Sequence, residues 1–224
     1  MMAGADGQTT WCKIEFSVSD PKHVNPMADG EAPKELPPMT IMSLSIRTIV
    51  NHRENKTELL CATARTWEGC EYRLRAFGTC LTIGNIDDPT PPDKQPSQVN
   101  TIIRPIEKFP PGLEARAKTE RSPFQTVKAE RALLNSLLAT IQRHDPDVIV
   151  GHNFLGSSFE ALLYRMKELK ADHWSRIGRF RRKGFTISKA GSNVRLMAGR
   201  LVADLSSDAA KVSGYECLRV FPSS

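Results

Sequence analysis

A chain of 224 residues with 40% hydrophobic content has enough apolar material for one large core or two small ones. No stretch approaches the roughly 18 consecutive apolar residues of a membrane span, and residues 1–10 are small and polar, without the apolar segment of a secretory signal. Net charge is +6 but unevenly placed: residues 165–200 hold eleven Lys/Arg against Glu168 and Asp172, which leaves the remainder net negative.

In chain order, residues 11–19 (WCKIEFSVS) alternate apolar and polar side chains and predict a strand. Residues 20–38 form a connection rich in proline, glycine and acid. Residues 39–50 carry the strongest strand signal, long and β-branched, and a polar turn over 51–56 returns the chain through a second strand at 57–66, a hairpin. Four prolines in 86–98 predict an extended loop, 99–104 a short third strand, and 109–123 a charged loop. Residues 127–143 then place Leu133, Leu134, Leu137, Leu138 and Ile141 on one stripe of an amphipathic helix, which Pro146 terminates. Val148-Ile149-Val150 follows as a wholly apolar strand, of the kind expected where both faces of a sheet are covered. A second helix starts near Ser157 and runs to Leu169 through Phe159, Leu162, Leu163 and Met166. After the basic segment, residues 195–205 predict a last strand that ends in Asp204.

Several residue groups invite a chemical reading. Arg176, Arg179, Arg181, Arg182 and Lys183 give the electrostatic footprint of a nucleic-acid contact, and a solvated loop on a basic protein fits the same composition. Phe180 and Phe185, inside that run, suit either base stacking or packing beneath the loop. His152 with Ser157 or Ser158 lacks the G-x-S-x-G elbow of a nucleophile, so the serines are expected to open or cap a helix. His144 reads as a cation at a helix C-terminus, and Asp145 and Asp147 as turn-formers around Pro146. The five cysteines (Cys12, Cys61, Cys70, Cys80, Cys217) are odd in number and irregularly spaced, which fits a reducing compartment, and Cys61, Cys70 and Cys80 lack the close pairs of a zinc site. No phosphate-binding loop or dinucleotide fingerprint is present.

Antiparallel strands, a helix, a parallel strand, a helix and a further strand give the element order of a ribonuclease H-like fold, an α/β arrangement on a mixed sheet. Residues 38–48 (PMTIMSLSIRT) and 145–153 (DPDVIVGHN) resemble the 3′–5′ exonuclease-type domain of family B DNA polymerases. Residues 11–13 (WCK), 19–22 (SDPK), 130–134 (ERALL) and 173–179 (HWSRIGR) resemble its alpha-type branch, in the fungal form. The resemblance spans about residues 10–66 and 86–205. Active members of that family hydrolyse phosphodiesters with two divalent metals held by carboxylates. Their first motif is Asp-x-Glu, and this chain has Ser45 and Arg47 there. Their second places an Asp five residues after Asn, and this chain has Ser158. The third motif is not recognisable, and Asp204 resembles a family residue to which no catalytic role is assigned. Glu160 lies about 200° round the helix from Ser158, and one carboxylate does not hold two metals.

The resemblance therefore implies an exonuclease-like domain without catalysis, with an architectural role and a basic face toward DNA or an RNA–DNA primer–template. It implies no cofactor in this stretch, Mg²⁺ belonging to the full polymerase, and as partners the remaining polymerase domains and the other subunits of a nuclear polymerase–primase complex, with no membrane. Residues 1–38 read as an N-terminal extension, 39–210 as the exonuclease-like domain with an unmatched insert at 68–85, and 211–224 as an atypical tail. With no palm after residue 205, the sequence reads as a fragment of a larger enzyme. A working metal-dependent exonuclease and a nonfunctional truncated product are the rival readings.

Overall fold

The computed structural model describes residues 7–25, 27, 37–70, 97–119, 124–188 and 192–207. Its centre is the expected hairpin. Strand β1 (Met39–Asn51) pairs antiparallel with β2 (Lys56–Cys70), in a register running from Asn51 opposite Lys56 to Met39 opposite Cys70. Strand β3 (Gln98–Ile103) adds antiparallel to β2, and β4 (Phe124–Thr126) parallel to β3. On the other side β5 (Val148–Gly151) lies parallel to β1, with Ile41, Met42 and Ser43 beside Val148, Ile149 and Val150. Strand β6 (Leu201–Asp204) closes the edge parallel to β5, giving a six-stranded mixed sheet in the order β4-β3-β2-β1-β5-β6. Helix α1 (Leu113–Thr119) precedes β4, while α2 (Glu130–His144) and α3 (Phe159–Glu168) flank β5 in sequence.

Alternation along the strands sorts their side chains onto two faces. Met42, Leu44 and Ile46 of β1, Ala62 and Ala64 of β2, Ile102 of β3 and Ile149 of β5 are buried in one cluster. They meet the α2 stripe of Leu133, Leu134, Leu137, Leu138 and Ile141, and Phe159, Leu162, Leu163 and Met166 of α3. Each such side chain contributes roughly 1.5–3 kcal/mol by leaving water. A buried ion pair crosses this layer. Glu130, at the start of α2, accepts from Arg165 Nε at 2.9 Å and Arg165 Nη2 at 2.5 Å, and from the backbone N–H of Leu59 at 2.7 Å. The side chains are 7% and 9% exposed, so α2, α3 and β2 share one desolvated charge pair.

The structure corrects four expectations. Residues 11–19 form no strand: Thr10 makes an isolated antiparallel bridge to Phe180, and Ile14, Phe16 and Val18 project into solvent at 70%, 84% and 53% exposure. Alternation supplied a face there, but no neighbouring strand pairs with it among the described residues. The stretch 109–123 holds α1 where a loop was expected. The last strand is shorter than 195–205, because a 3₁₀ turn over Ser192–Met197 and Gly199 at φ 90° precede it. Finally, the Val-Ile-Val run is not covered twice among the described residues: Ile149 is buried, while Val148 and Val150 are half-buried. Strand β2 also continues to Cys70, three residues into the 68–85 stretch where the sequence suggested an interruption. The rest of the 68–85 insert, most of the 86–98 loop and the 211–224 tail lie outside the described residues.

Candidate functional site

Ser45 and Arg47 sit on β1 between the buried residues Leu44, Ile46 and their neighbours, and alternation therefore sends both to the face opposite α2 and α3, where both are exposed. Their cross-strand neighbours on that face are Thr63 and Cys61, and Thr63 Oγ1 lies 3.1 Å from Thr101 Oγ1 on β3. Ser158 closes a π-helical turn, Phe154–Ser158, that follows β5 and rests against β1. The structure thus brings the turn bearing Ser158 to the strand bearing Ser45 and Arg47. Gly151 makes this approach possible, since a Cβ there would stand 2.5 Å from Phe154 Cβ and 3.3 Å from the Leu44 carbonyl. Asn153 takes the left-handed conformation at φ 51°, which asparagine tolerates.

Neither serine caps α3. Ser158 has helical φ/ψ and makes no capping hydrogen bond. The acceptor for this turn comes from Asp204, at the end of β6 beside Gly151. Its Oδ1 accepts from Asn153 N and Ser206 Oγ at 2.8 Å each, and its Oδ2 accepts from Leu155 N at 2.8 Å. Burial pushes the Asp204 carboxyl pKa up, but the hydrogen bonds from Ser206, Leu155 and Asn153 outweigh it and hold the group below its ordinary value. Both oxygens are therefore occupied by the turn. A two-metal centre needs converging oxygen ligands with charge. Ser45 and Ser158 bring none, Arg47 brings the wrong sign, and no group of three metal-ligating side chains converges among the described residues. The donor set does not fit the metals.

The Asp145-Pro146-Asp147 turn does more than reverse the chain. Asp145 ends α2 in the left-handed conformation at φ 42°. Its Oδ1 receives Arg179 Nε at 3.0 Å and Arg200 Nη1 at 2.7 Å, while Asp147 Oδ1 receives Arg179 Nη2 at 2.7 Å and Asp147 Oδ2 receives Thr40 N at 2.9 Å. Burial raises the Asp145 pKa, and the two guanidiniums lower it by more, for a net depression. The two carboxylates and two arginines fasten the start of β1 and the approach to β6 onto the end of α2. At that helix end His144 Nδ1 lies 3.4 Å from Glu68 Oε1.

This network separates the basic segment into two kinds of residue. Arg179 belongs to the fold: two carboxylates neutralise it, and it also donates to the carbonyls of Asp145 and Gly199. It is not available for the phosphate contact the sequence suggested. Arg176, Arg181, Arg182 and Lys183 have no carboxylate partner among the described residues. Arg182 donates to the Arg195 carbonyl at 2.9 Å and Lys183 is exposed. Arg176 and Arg181 lie 4.9 and 4.4 Å from the ring centre of Trp11. Trp11 is positioned by its N–H to the Arg179 carbonyl at 2.7 Å and its indole N–H to Ser175 Oγ at 3.1 Å. Of the two phenylalanines, Phe185 stacks on Trp174 at 4.2 Å against the core, and Phe180 is 47% exposed. The role of Trp11 was not legible in the sequence, because its partners are more than 160 residues away.

Over residues 2–213 the chain matches the family described as DNA polymerase family B, exonuclease domain. It is 29% identical over 209 residues to the DNA polymerase alpha catalytic subunit of Saccharomyces cerevisiae, covering 88% of this chain and 13% of that protein. The DNA polymerase alpha catalytic subunit of Sterkiella nova is 30% identical over 213 residues, with 89% and 13% covered. That of Xenopus laevis is 29% identical over 222 residues, with 94% and 13% covered. The chain thus spans 13% of the length of each of these relatives.

Proposed function

This chain belongs to the exonuclease-domain family of the family B DNA polymerases, and from that premise we propose that it is a non-catalytic member of it, part of an alpha-type catalytic subunit. In this reading the parent protein extends RNA–DNA primers in the nucleus, with the other subunits of a polymerase–primase complex as partners and Mg²⁺ bound outside this stretch. The domain is architectural. Residues 39–210 make up its body, residues 1–38 are an N-terminal extension belonging to the polymerase N-terminal region, and residues 68–85 and 211–224 are its own departures from the pattern.

The observation that carries the reading is Arg47. It stands exposed on the strand, two residues from Ser45, where active relatives place the metal-binding Glu, and its charge repels the ions that chemistry requires. Asp204, a carboxylate beside the turn that bears Ser158, has both oxygens engaged by the 153–155 turn and Ser206. Purified chain with Mg²⁺ or Mn²⁺ is expected to leave single-stranded DNA intact. Metal-dependent degradation that survives repurification contradicts the proposal.

Contact with nucleic acid rests on Arg176, Arg181, Arg182 and Lys183, the segment's cations without carboxylate partners among the described residues. A polymerase needs no sequence preference here, so these residues contact phosphates and not bases. Four such contacts give a log–log salt slope of roughly −3 on single strands and −3.6 on duplex. A salt titration of primer–template binding measures it, and charge reversal at Arg182 and Lys183 is expected to flatten the slope. An unchanged slope and affinity would make the segment a solvated surface.

A further inference from the structure

The two guanidiniums on Trp11, one half-buried and one exposed, are arranged unlike Arg165, Arg179 and Arg200. Arg165, Arg179 and Arg200 each face a carboxylate. Arg176 and Arg181 instead bring two positive charges to one indole ring, with no anion to separate them among the described residues. Attraction to the ring is worth about 0.5–2 kcal/mol per cation, and the mutual repulsion works against it. Arg181 uses Nε on the Thr10 carbonyl at 2.9 Å and Nη2 on Gln8 Oε1 at 3.0 Å, which leaves Nη1 uncommitted. The Arg176 side chain has no hydrogen-bond acceptor among the described residues, and its Nε–H is buried without one. Burial first, then the charge of Arg181, lowers its pKa. Unpaired buried donors are costly, so the arrangement is suited to a state in which an anion is present.

Next to Trp11 lies an open concavity of about 310 Å³, lined also by Lys13, Gln142, Arg143 and Asp145. Asp145 there is already engaged by Arg179 and Arg200, so the free charge facing the space is basic. The N-terminal arm supplies Trp11 and Lys13, and its backbone is bonded to the basic segment through Trp11 N to the Arg179 carbonyl and Arg181 N to the Thr9 carbonyl at 2.8 Å.

We propose that Arg176 and Arg181, held against Trp11, form a discrete phosphate-binding site for a single-stranded nucleic acid, with Lys13 and Arg143 lining the adjoining space that the strand enters. Guanidinium is the side chain whose fork matches phosphate oxygens two at a time. The site rests on the nucleic-acid reading of the basic segment and adds to it the arm, a fixed geometry and a reporter, because an anion seated between the guanidiniums alters the surroundings of Trp11. It also gives residues 9–13 a function that does not depend on strand pairing.

The test compares the full chain with Arg176→Gln/Arg181→Gln and with Arg182→Glu/Lys183→Glu, using anisotropy of a fluorescein-labelled oligothymidylate across a range of KCl. The Arg176→Gln/Arg181→Gln protein is expected to bind at least roughly tenfold more weakly, with a salt slope shallower by roughly 1.4, the loss of two of the four single-strand contacts. Arg176→Lys/Arg181→Lys keeps the charge and is expected to restore the slope but not the full affinity, which separates the site from a folding defect. Unlabelled oligothymidylate is expected to change tryptophan emission in the natural chain and not in Trp11→Phe. Inorganic phosphate or a free nucleotide that produces the same change at equal concentration overturns the assignment to a strand. If Arg176→Gln/Arg181→Gln binds like the natural chain while Arg182→Glu/Lys183→Glu is weakened, the discrete site is wrong and the broader reading stands. If neither variant differs from the natural chain, both are wrong.

Discussion

The two faces of the central sheet are built by the same strands and carry opposite chemistry. On one, Met42, Leu44 and Ile46 of β1 meet two helices and are at most 9% exposed. On the other, Ser43, Ser45 and Arg47 of the same strand look outward beside Cys61, Thr63 and Arg65. Ser45 and Arg47, matched above to the first motif of the family, fall on the outward face. On the non-catalytic reading proposed above, serine or arginine on that outward face opens no cavity and strands no buried charge, so fold and activity are separable. Stability resides in one layer, and Ser45 and Arg47 lie on the other.

The largest effect expected from this division is on the buried face. Glu130→Ala removes the buried carboxylate that takes two N–H groups of Arg165, leaving it only the more exposed Glu168, and removes the acceptor of Leu59 N, a loss of about 3–5 kcal/mol that urea unfolding measures. Neighbouring residues on β1 give a sharper contrast. Leu44→Ala is expected to cost about 2–5 kcal/mol, and Ser45→Ala about 0.5 kcal/mol or less. Equal effects at the two positions would break the comparison.

Asp204→Ala sits between these extremes. It frees the N–H groups of Asn153 and Leu155 and is expected to cost about 1–3 kcal/mol, with faster amide exchange at those two residues. The acid dependence follows from Asp204 and Asp145, whose pKa values are both depressed in the fold. Such groups contribute stability that is complete above the ordinary aspartate value of about 3.9 and is lost as pH falls through the lower folded values. The melting temperature is therefore expected to hold through neutral pH and fall below about pH 4. Asp145→Asn should flatten that fall, and an unchanged acid profile would show that the Arg179 and Arg200 pairing does not stabilise the fold.

The parts of the fold that were legible in the sequence are those that local pattern determines. The β-branched run at 39–50, the leucine stripe of α2 and the stop at Pro146 each depend on residues within a few positions of one another. So did the absent carboxylates, since Ser45, Arg47 and Ser158 are read against short motifs. What escaped depends on partners far along the chain. Asp145 and Asp147 looked like turn-formers because Arg179 and Arg200 reach them from 32 to 55 residues away. Asp204 caps a turn 49 to 51 residues earlier, and the 11–19 alternation resembled a strand although no ladder forms on it among the described residues. Arg179, counted with the other basic residues, differs from them only through the two carboxylates it meets in space.

The central claim is that the outward face of β1 and the turn at Ser158 do not hold divalent metal. Electron paramagnetic resonance of Mn²⁺ titrated with the chain tests it without reference to activity. The natural chain is expected to leave the free-ion signal as it is in buffer. Ser45→Asp/Arg47→Glu/Ser158→Asp, which rebuilds part of the site, is expected to diminish that signal while restoring less than full nuclease activity. Saturable, stoichiometric loss of the free Mn²⁺ signal with the natural chain would contradict the account.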